Sequence, residues 1–260
     1  MRLKTRCELT FLIEIPTPFI LMLRPKNGEH QRTISEEYLL FPSVPAVEFT
    51  DDYGNFCLRL IAPVGDFTVF TSAVVMTKDF IEQQPGGDFI EIQNLPDNVL
   101  KYLLPSRYCE SDRFGEMATL LTANQRPGYD QVEQIESWLR NTIHYEPGSS
   151  FLHLSAIEVN QQQTGVYRDL AHLGIALCRS LSIPARMVVG YLYKLEPMEL
   201  HAWFKAYVAG RWYTFDATRP FKKDGYVVIG YGRDAADVAI YNQFGPAVSP
   251  IEQNVSVQMA

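Results

Sequence analysis

A histidine and an aspartate on one face of a β-hairpin can work together as a base, and this sequence has such a pair in His201 and Asp216. If Ala209-Gly210 forms a two-residue hairpin loop, Val208 pairs with Arg211, and counting outward places Trp203 opposite Asp216. His201 shares Trp203's face because strand side chains alternate with period two. His201 and Asp216 then become diagonal neighbours, roughly 7–8 Å apart by backbone and within side-chain reach. A carboxylate beside an imidazole fixes its tautomer and stabilises the imidazolium, as a general base requires. A slip of one residue would put the two on opposite faces, so the turn decides the pairing.

A base of this kind needs a nucleophile, which raises the question of the four cysteines, Cys7, Cys57, Cys109 and Cys178. They lie far apart and never as CxxC, which argues against a disulfide framework and a zinc knuckle. His30, His144 and His153 show no metal-ligand spacing, so no metal site is expected. No P-loop or dinucleotide-binding glycine pattern is present, and no cofactor is expected. The 260 residues carry 23 Lys and Arg against 30 Asp and Glu, a net charge of −7, which argues against nucleic acid as a partner. With 47% hydrophobic and 20% charged residues, the chain can build an extensive core. The basic start at Arg2, Lys4 and Arg6 fails as a signal peptide. Glu8 and Glu14 interrupt the apolar stretch that follows, and Pro16 and Pro18 break any helix in it. No run of about 18 uncharged apolar residues follows elsewhere, so no membrane span and a cytoplasmic location are expected.

The elements that would hold the pair change character along the chain. Cys7–Ile15, Phe56–Ala62 and Phe67–Thr71 read as strands bounded by Pro, Gly and Asp/Asn punctuation, with a hairpin turn at Asp51-Asp52-Tyr53-Gly54-Asn55. Residues 1–80 are therefore expected to form a β-sandwich-like domain, 81–98 a linker and 99–260 the core domain. Val132, Ile135, Trp138 and Leu139 fall at helical spacing, closed by Asn141-Thr142 and Pro147-Gly148. Leu170, Leu173, Leu177, Cys178 and Leu181 make one apolar stripe on a second helix that ends near Ser182. Strands follow at 185–192, 202–208 and 212–215. A helix followed by antiparallel strands indicates an α+β fold.

Within these elements stand Gly165-Val166-Tyr167-Arg168-Asp169-Leu170-Ala171-His172, Ile183-Pro184-Ala185-Arg186, Gly190-Tyr191, His201-Ala202-Trp203 and Asp216-Ala217-Thr218. Together they resemble the core of the transglutaminase-like superfamily, most closely its bacterial cysteine protease group. That group's pattern runs G-V-C-R-D-x-A-H, I-P-A-R-x-x-x-G-Y, H-A-W and D-P-T. Leu104-Pro105-Ser106-Arg107-Tyr108-Cys109, Gly232-Arg233-Asp234, Leu23-Arg24-Pro25, Gln31 and Asp52-Tyr53-Gly54-Asn55 extend the resemblance over nearly the whole chain. It implies a papain-like α+β core with an N-terminal all-β domain. It also implies papain-like chemistry, in which a cysteine at a helix N-terminus attacks an amide carbonyl. His201 and Asp216 match the base and its orienting carboxylate.

Tyr167 stands where the pattern has the nucleophilic cysteine. A phenol has a pKa of about 10, so it stays mostly protonated at neutral pH, and it is far larger than a thiol. Cys178 lies roughly 16 Å further along the same helix, at 1.5 Å per residue, and belongs to the leucine stripe. Cys109 is the thiol to check first, since sequence cannot place it relative to His201. Trp203 is expected to wall the cleft and His172 to sit beside His201 or pack as a hydrogen-bonded side chain. The resulting expectation is a protein without ordinary thiol protease or transglutaminase activity that binds a peptide or protein ligand. Two alternatives stand beside it. One is a hydrolase using Cys109, Tyr167 or a water activated by His201; the other is a structural protein that self-associates as a homo-oligomer through its β module.

Overall fold

The computed structural model describes residues 1–28, 30–146, 153–218 and 224–260; Pro147-Gly148 lies outside them. The chain opens with β1 (Arg2–Ile13), β2 (Thr17–Leu21), β3 (Gln31–Phe41), β4 (Ala46–Thr50), β5 (Phe56–Ala62) and β6 (Gly65–Thr77). Strict alternation sends Leu3, Cys7, Leu9, Phe11 and Ile13 of β1 inward, where Phe11 meets Phe19 of β2 edge-on at 5.2 Å. Two sheets thus share one core in this region.

Helices dominate the next stretch: α1 (Asp97–Leu100), α2 (Gly115–Leu121) and α3 (Tyr129–Thr142). A short parallel pair, β7 (His144–Tyr145) and β8 (Thr164–Gly165), brackets α4 (Ala156–Gln162) and leads into α5 (Tyr167–Ser180). The central sheet follows with β9 (Ala185–Leu192), β10 (His201–Val208), β11 (Arg211–Phe215) and β12 (Tyr226–Gly232), in the order β11-β10-β9-β12. Helix α5 lies on the face that carries Phe204. Gly174 allows the approach, since a Cβ there would sit 2.7 Å from the Phe204 ring. This is an α+β fold with a helix packed on an antiparallel sheet and an N-terminal β region.

The last two strands do not extend the central sheet. β13 (Tyr241–Gln243) pairs with β2, and β14 (Pro250–Met259) runs antiparallel along β1 from Met259↔Leu3. The sheets therefore divide the segment 99–260, returning its final residues to the N-terminal module. A second link is made by side chains. The Gln31 amide donates to Val228 O and accepts from Val228 N, both at 2.7 Å, and Asn55 does the same with Tyr231 O (2.7 Å) and N (2.9 Å). These two amides occupy the edge of β12 that β9 leaves open, standing in for a neighbouring strand.

Candidate functional site

The β10–β11 hairpin turns at Ala209 (φ 49°) and Gly210 (φ 78°), both in the left-handed region that a type I′ turn requires. The register is the predicted one, Val208 opposite Arg211 and Phe204 opposite Phe215. His201 Nε2 accordingly hydrogen-bonds Asp216 Oδ2 at 2.8 Å, with both side chains buried. Thr218 Oγ1 donates to Asp216 Oδ1 at 2.6 Å, and the Tyr226 hydroxyl donates to Oδ2 at 2.8 Å. From α3, Glu136 Oε1 accepts the main-chain N–H of Asp216 at 2.7 Å. Burial by itself would raise the Asp216 carboxyl. The adjacent His201 charge and the hydrogen bonds from His201, Thr218 and Tyr226 outweigh it and bring the pKa down to about 2. Asp216 is therefore an anion at any pH near neutrality, and it holds the imidazole through Nε2. Nδ1 of His201 is buried and has no hydrogen-bond partner, so it is the ring nitrogen left for chemistry or a ligand.

Tyr167 is the first residue of α5. Asp169, fully buried in the first turn, fixes this end of the helix. Its Oδ2 accepts from Val166 N at 3.1 Å and its Oδ1 from Leu154 N at 3.3 Å. The Tyr167 and His201 rings meet at 5.1 Å with 60° between their planes. Burial, with the nearby Glu199 charge adding to it, pushes the Tyr167 phenol well above its ordinary range. The hydroxyl stays protonated, which disfavours a phenolate nucleophile. Both residues line a cavity of about 270 Å³, together with Arg168, Leu200 and the stretch from Val238 to Tyr241.

The other predicted residues lie elsewhere. Trp203 is 1% exposed and does not line this cavity. Alternation puts it with Val188 and Val228 on the sheet face away from α5, where its ring stacks on His201 at 5.9 Å and meets Tyr226 at 4.8 Å. It supports the imidazole from behind and is not a cleft wall. His172 is fully buried and satisfied on both nitrogens: Nδ1–H donates to Leu154 O at 2.8 Å and Nε2 accepts from Ala235 N at 3.2 Å. Its ring stacks on Tyr108 at 5.1 Å, and it is outside the cavity lining, so it is a packing residue and not a binding one. Cys109 is fully buried, burial raises its thiol far above the ordinary value, and it too is absent from the lining. All four cysteines are buried and reduced, and none lines the cavity.

Sequence reasoning missed Glu136, Thr218 and Tyr226. Glu136 carried a signal, an acid inside the apolar face that Val132, Ile135 and Leu139 present. Thr218 carried one too, because Asp-x-Thr favours the turn in which Asp216 Oδ1 accepts from Thr218 N, here at 3.1 Å. Tyr226 comes from a separate strand and nothing local marked it. Among the described residues, no group of three His, Cys, Asp or Glu side chains could hold a metal ion. No described helix is long and apolar enough to cross a membrane.

Comparison with known proteins agrees with this architecture. The family model described as "Transglutaminase-like superfamily" matches residues 115–217. A crystal structure described as a "Putative Cysteine Protease from Cytophaga hutchinsonii" is 35% identical, covers 99% of this chain and 90% of its own, and superposes with a TM-score of 0.92. The uncharacterized protein ML0607 of Mycobacterium leprae is 29% identical over 231 residues, 84% of this chain and 82% of that protein. Uncharacterized protein Rv2569c of Mycobacterium tuberculosis is 27% identical over 247 residues, 83% of this chain and 77% of that protein. The chain belongs to the transglutaminase-like superfamily.

Proposed function

We propose that this protein is a cysteine-protease-like scaffold without its nucleophile, which binds a peptide or protein segment and does not cleave it. The observation that carries this reading is the contact between Tyr167 and His201. The helix terminus and the imidazole of a papain-like centre meet, but at their junction stands a partly buried, protonated phenol in place of a thiolate. Of the hydrolase alternatives, those using Cys109 or Tyr167 lose support, because Cys109 is sealed in the core and the Tyr167 phenol is raised by burial. An aryl ester made from an amide would also be high in energy. The cavity of about 270 Å³ beside Tyr167, walled by Met187, Val189 and Leu200, suits an apolar side chain of the bound segment.

The test is to incubate the purified protein with casein and a varied peptide library under reducing conditions, and to measure binding in parallel. Peptide binding without turnover is the expected result. Turnover that disappears in His201→Ala and is blocked by thiol alkylation would overturn the proposal.

A further inference from the structure

In the sheet ordered β14-β1-β6-β3, the residues of β1 that alternate away from the core are Arg2, Lys4, Arg6, Glu8, Thr10 and Leu12. Charge along this outer face is segregated by sign, and the register carries the segregation onto the neighbouring strands. Arg32 of β3 joins the basic end, because it and Arg2 both sit opposite Met76 of β6. At the other end Glu252 of β14 sits opposite Thr10, and Asp66 of β6 sits opposite Leu12. Glu37 stands midway, across Ser72 from Arg6. No ion pair among the described residues engages any of these charges. The acidic half also carries apolar surface. Leu12, Leu39 and Phe41 are 52%, 38% and 53% exposed, and Phe70 lies in register between Glu8 and Leu39.

We infer that this face joins two copies of the chain, packed sheet on sheet about a two-fold axis that crosses the strands between Arg6 and Glu8. Such an axis reverses the strands of the second copy, so Arg6 of each copy meets Glu8 of the other. Each basic end then lies over the other copy's acidic end, and the Arg2 stem runs along Leu12 of the second copy. An axis parallel to the strands would instead set like charges over one another. The face is therefore complementary to itself in one arrangement, which selects a second copy as its occupant. Its extent also suits one. From Arg2 to Leu12 and across four strands it measures about 34 Å by about 19 Å, at roughly 3.4 Å per residue and 4.8 Å between strands. That is roughly 600 Å² of flat area, close to the ~800 Å² of accessible surface that each partner contributes to a stable interface. No residue of this face lines the Tyr167 cavity, so the contact is separate from peptide binding there.

Sedimentation velocity of the full-length protein across a wide range of concentration tests this, with circular dichroism reporting the folding of each variant. A monomer–dimer equilibrium is expected. Arg6→Glu sets an acid against Glu8 of the second copy, and Glu8→Arg sets a cation against its Arg6, so each should weaken dimerisation at least tenfold. The double variant Arg6→Glu/Glu8→Arg keeps the chain's net charge, restores both pairings and should recover most of the lost affinity. Should one single variant fail to fold, the other and the double variant decide. A monomer at every concentration would leave the face to solvent and overturn the inference. A dimer that either folded single reversal leaves unweakened, or a double variant as weak as the singles, would overturn it as well and assign the contact to another surface.

Discussion

Glu136 Oε1 accepts the main-chain N–H of Asp216 at 2.7 Å although 80 residues separate them. The contact ties α3 to the end of β11 and sets where the Asp216 carboxylate stands. Glu136→Ala leaves that buried N–H without an acceptor and is expected to cost about 1–3 kcal/mol. Glu136→Gln keeps an acceptor oxygen and should cost less than about 1 kcal/mol. Urea denaturation of the two variants checks this, and equal losses would show that the hydrogen bond does not anchor Asp216.

Tyr167→Cys returns a thiol to the N-terminus of α5 beside His201. The helix terminus and an imidazolium together should bring its pKa well below the free value of about 8.5. Alkylation by iodoacetamide at pH 6 is expected to be at least tenfold faster than for free cysteine, with the four buried native thiols unreactive. Alkylation that rises only above pH 8 would show that neither influence acts at position 167. Amide hydrolysis by the same variant would show that the rest of the machinery is intact.

His172 gives the protein a pH dependence with a definite sign. Burial outweighs its hydrogen bond to Leu154 and lowers its pKa to about 3, against about 6.5 in an unfolded chain. The unfolded state therefore takes up a proton that the folded state refuses. This contribution is fully present above about pH 6.5 and is lost as pH falls toward 3. Between pH 6.5 and 5 the loss should approach about 2 kcal/mol. His172→Gln should be less stable at pH 7 and flatter over that range. Parallel slopes for the two proteins in denaturant melts would contradict the assignment.

Asn55→Asp replaces an amide by a carboxylate of the same shape at the edge of β12. The carboxylate cannot donate to Tyr231 O, and it faces Asp51, whose Oδ2 accepts from the Asn55 amide at 2.8 Å. A loss of about 2 kcal/mol or more is expected, as for a buried charge without a partner. Thermal unfolding at pH 7 measures it, and partial recovery at pH 4 would identify the charge as the cause.

The His201–Asp216 pair was legible because one turn sets the register of the hairpin and period-two alternation does the rest. Helix α5 and strand β9 were legible for a similar reason, each written in a local stripe or a local apolar run. Trp203 was placed on the correct face, but its surroundings were misread. The face opposite Phe204 does not open toward the Tyr167 cavity; residues 77–82, more than a hundred positions away, lie over it. The roles of Gln31 and Asn55 were visible only as a resemblance. Their partners, Val228 and Tyr231, are 197 and 176 residues distant, and no local pattern encodes an amide that pairs with a strand edge. The return of β13 and β14 to the first sheets escaped for the same reason.

That return has a consequence for how the chain comes to be folded during synthesis. β6 follows β1 closely and can pair with it early, but the other edge of β1 has no partner until residues 250–259 have been made. At roughly 5–20 residues per second the wait is on the order of ten seconds or more. Throughout it, β1 is an exposed strand edge, available to β14 when it arrives or to another nascent copy before then.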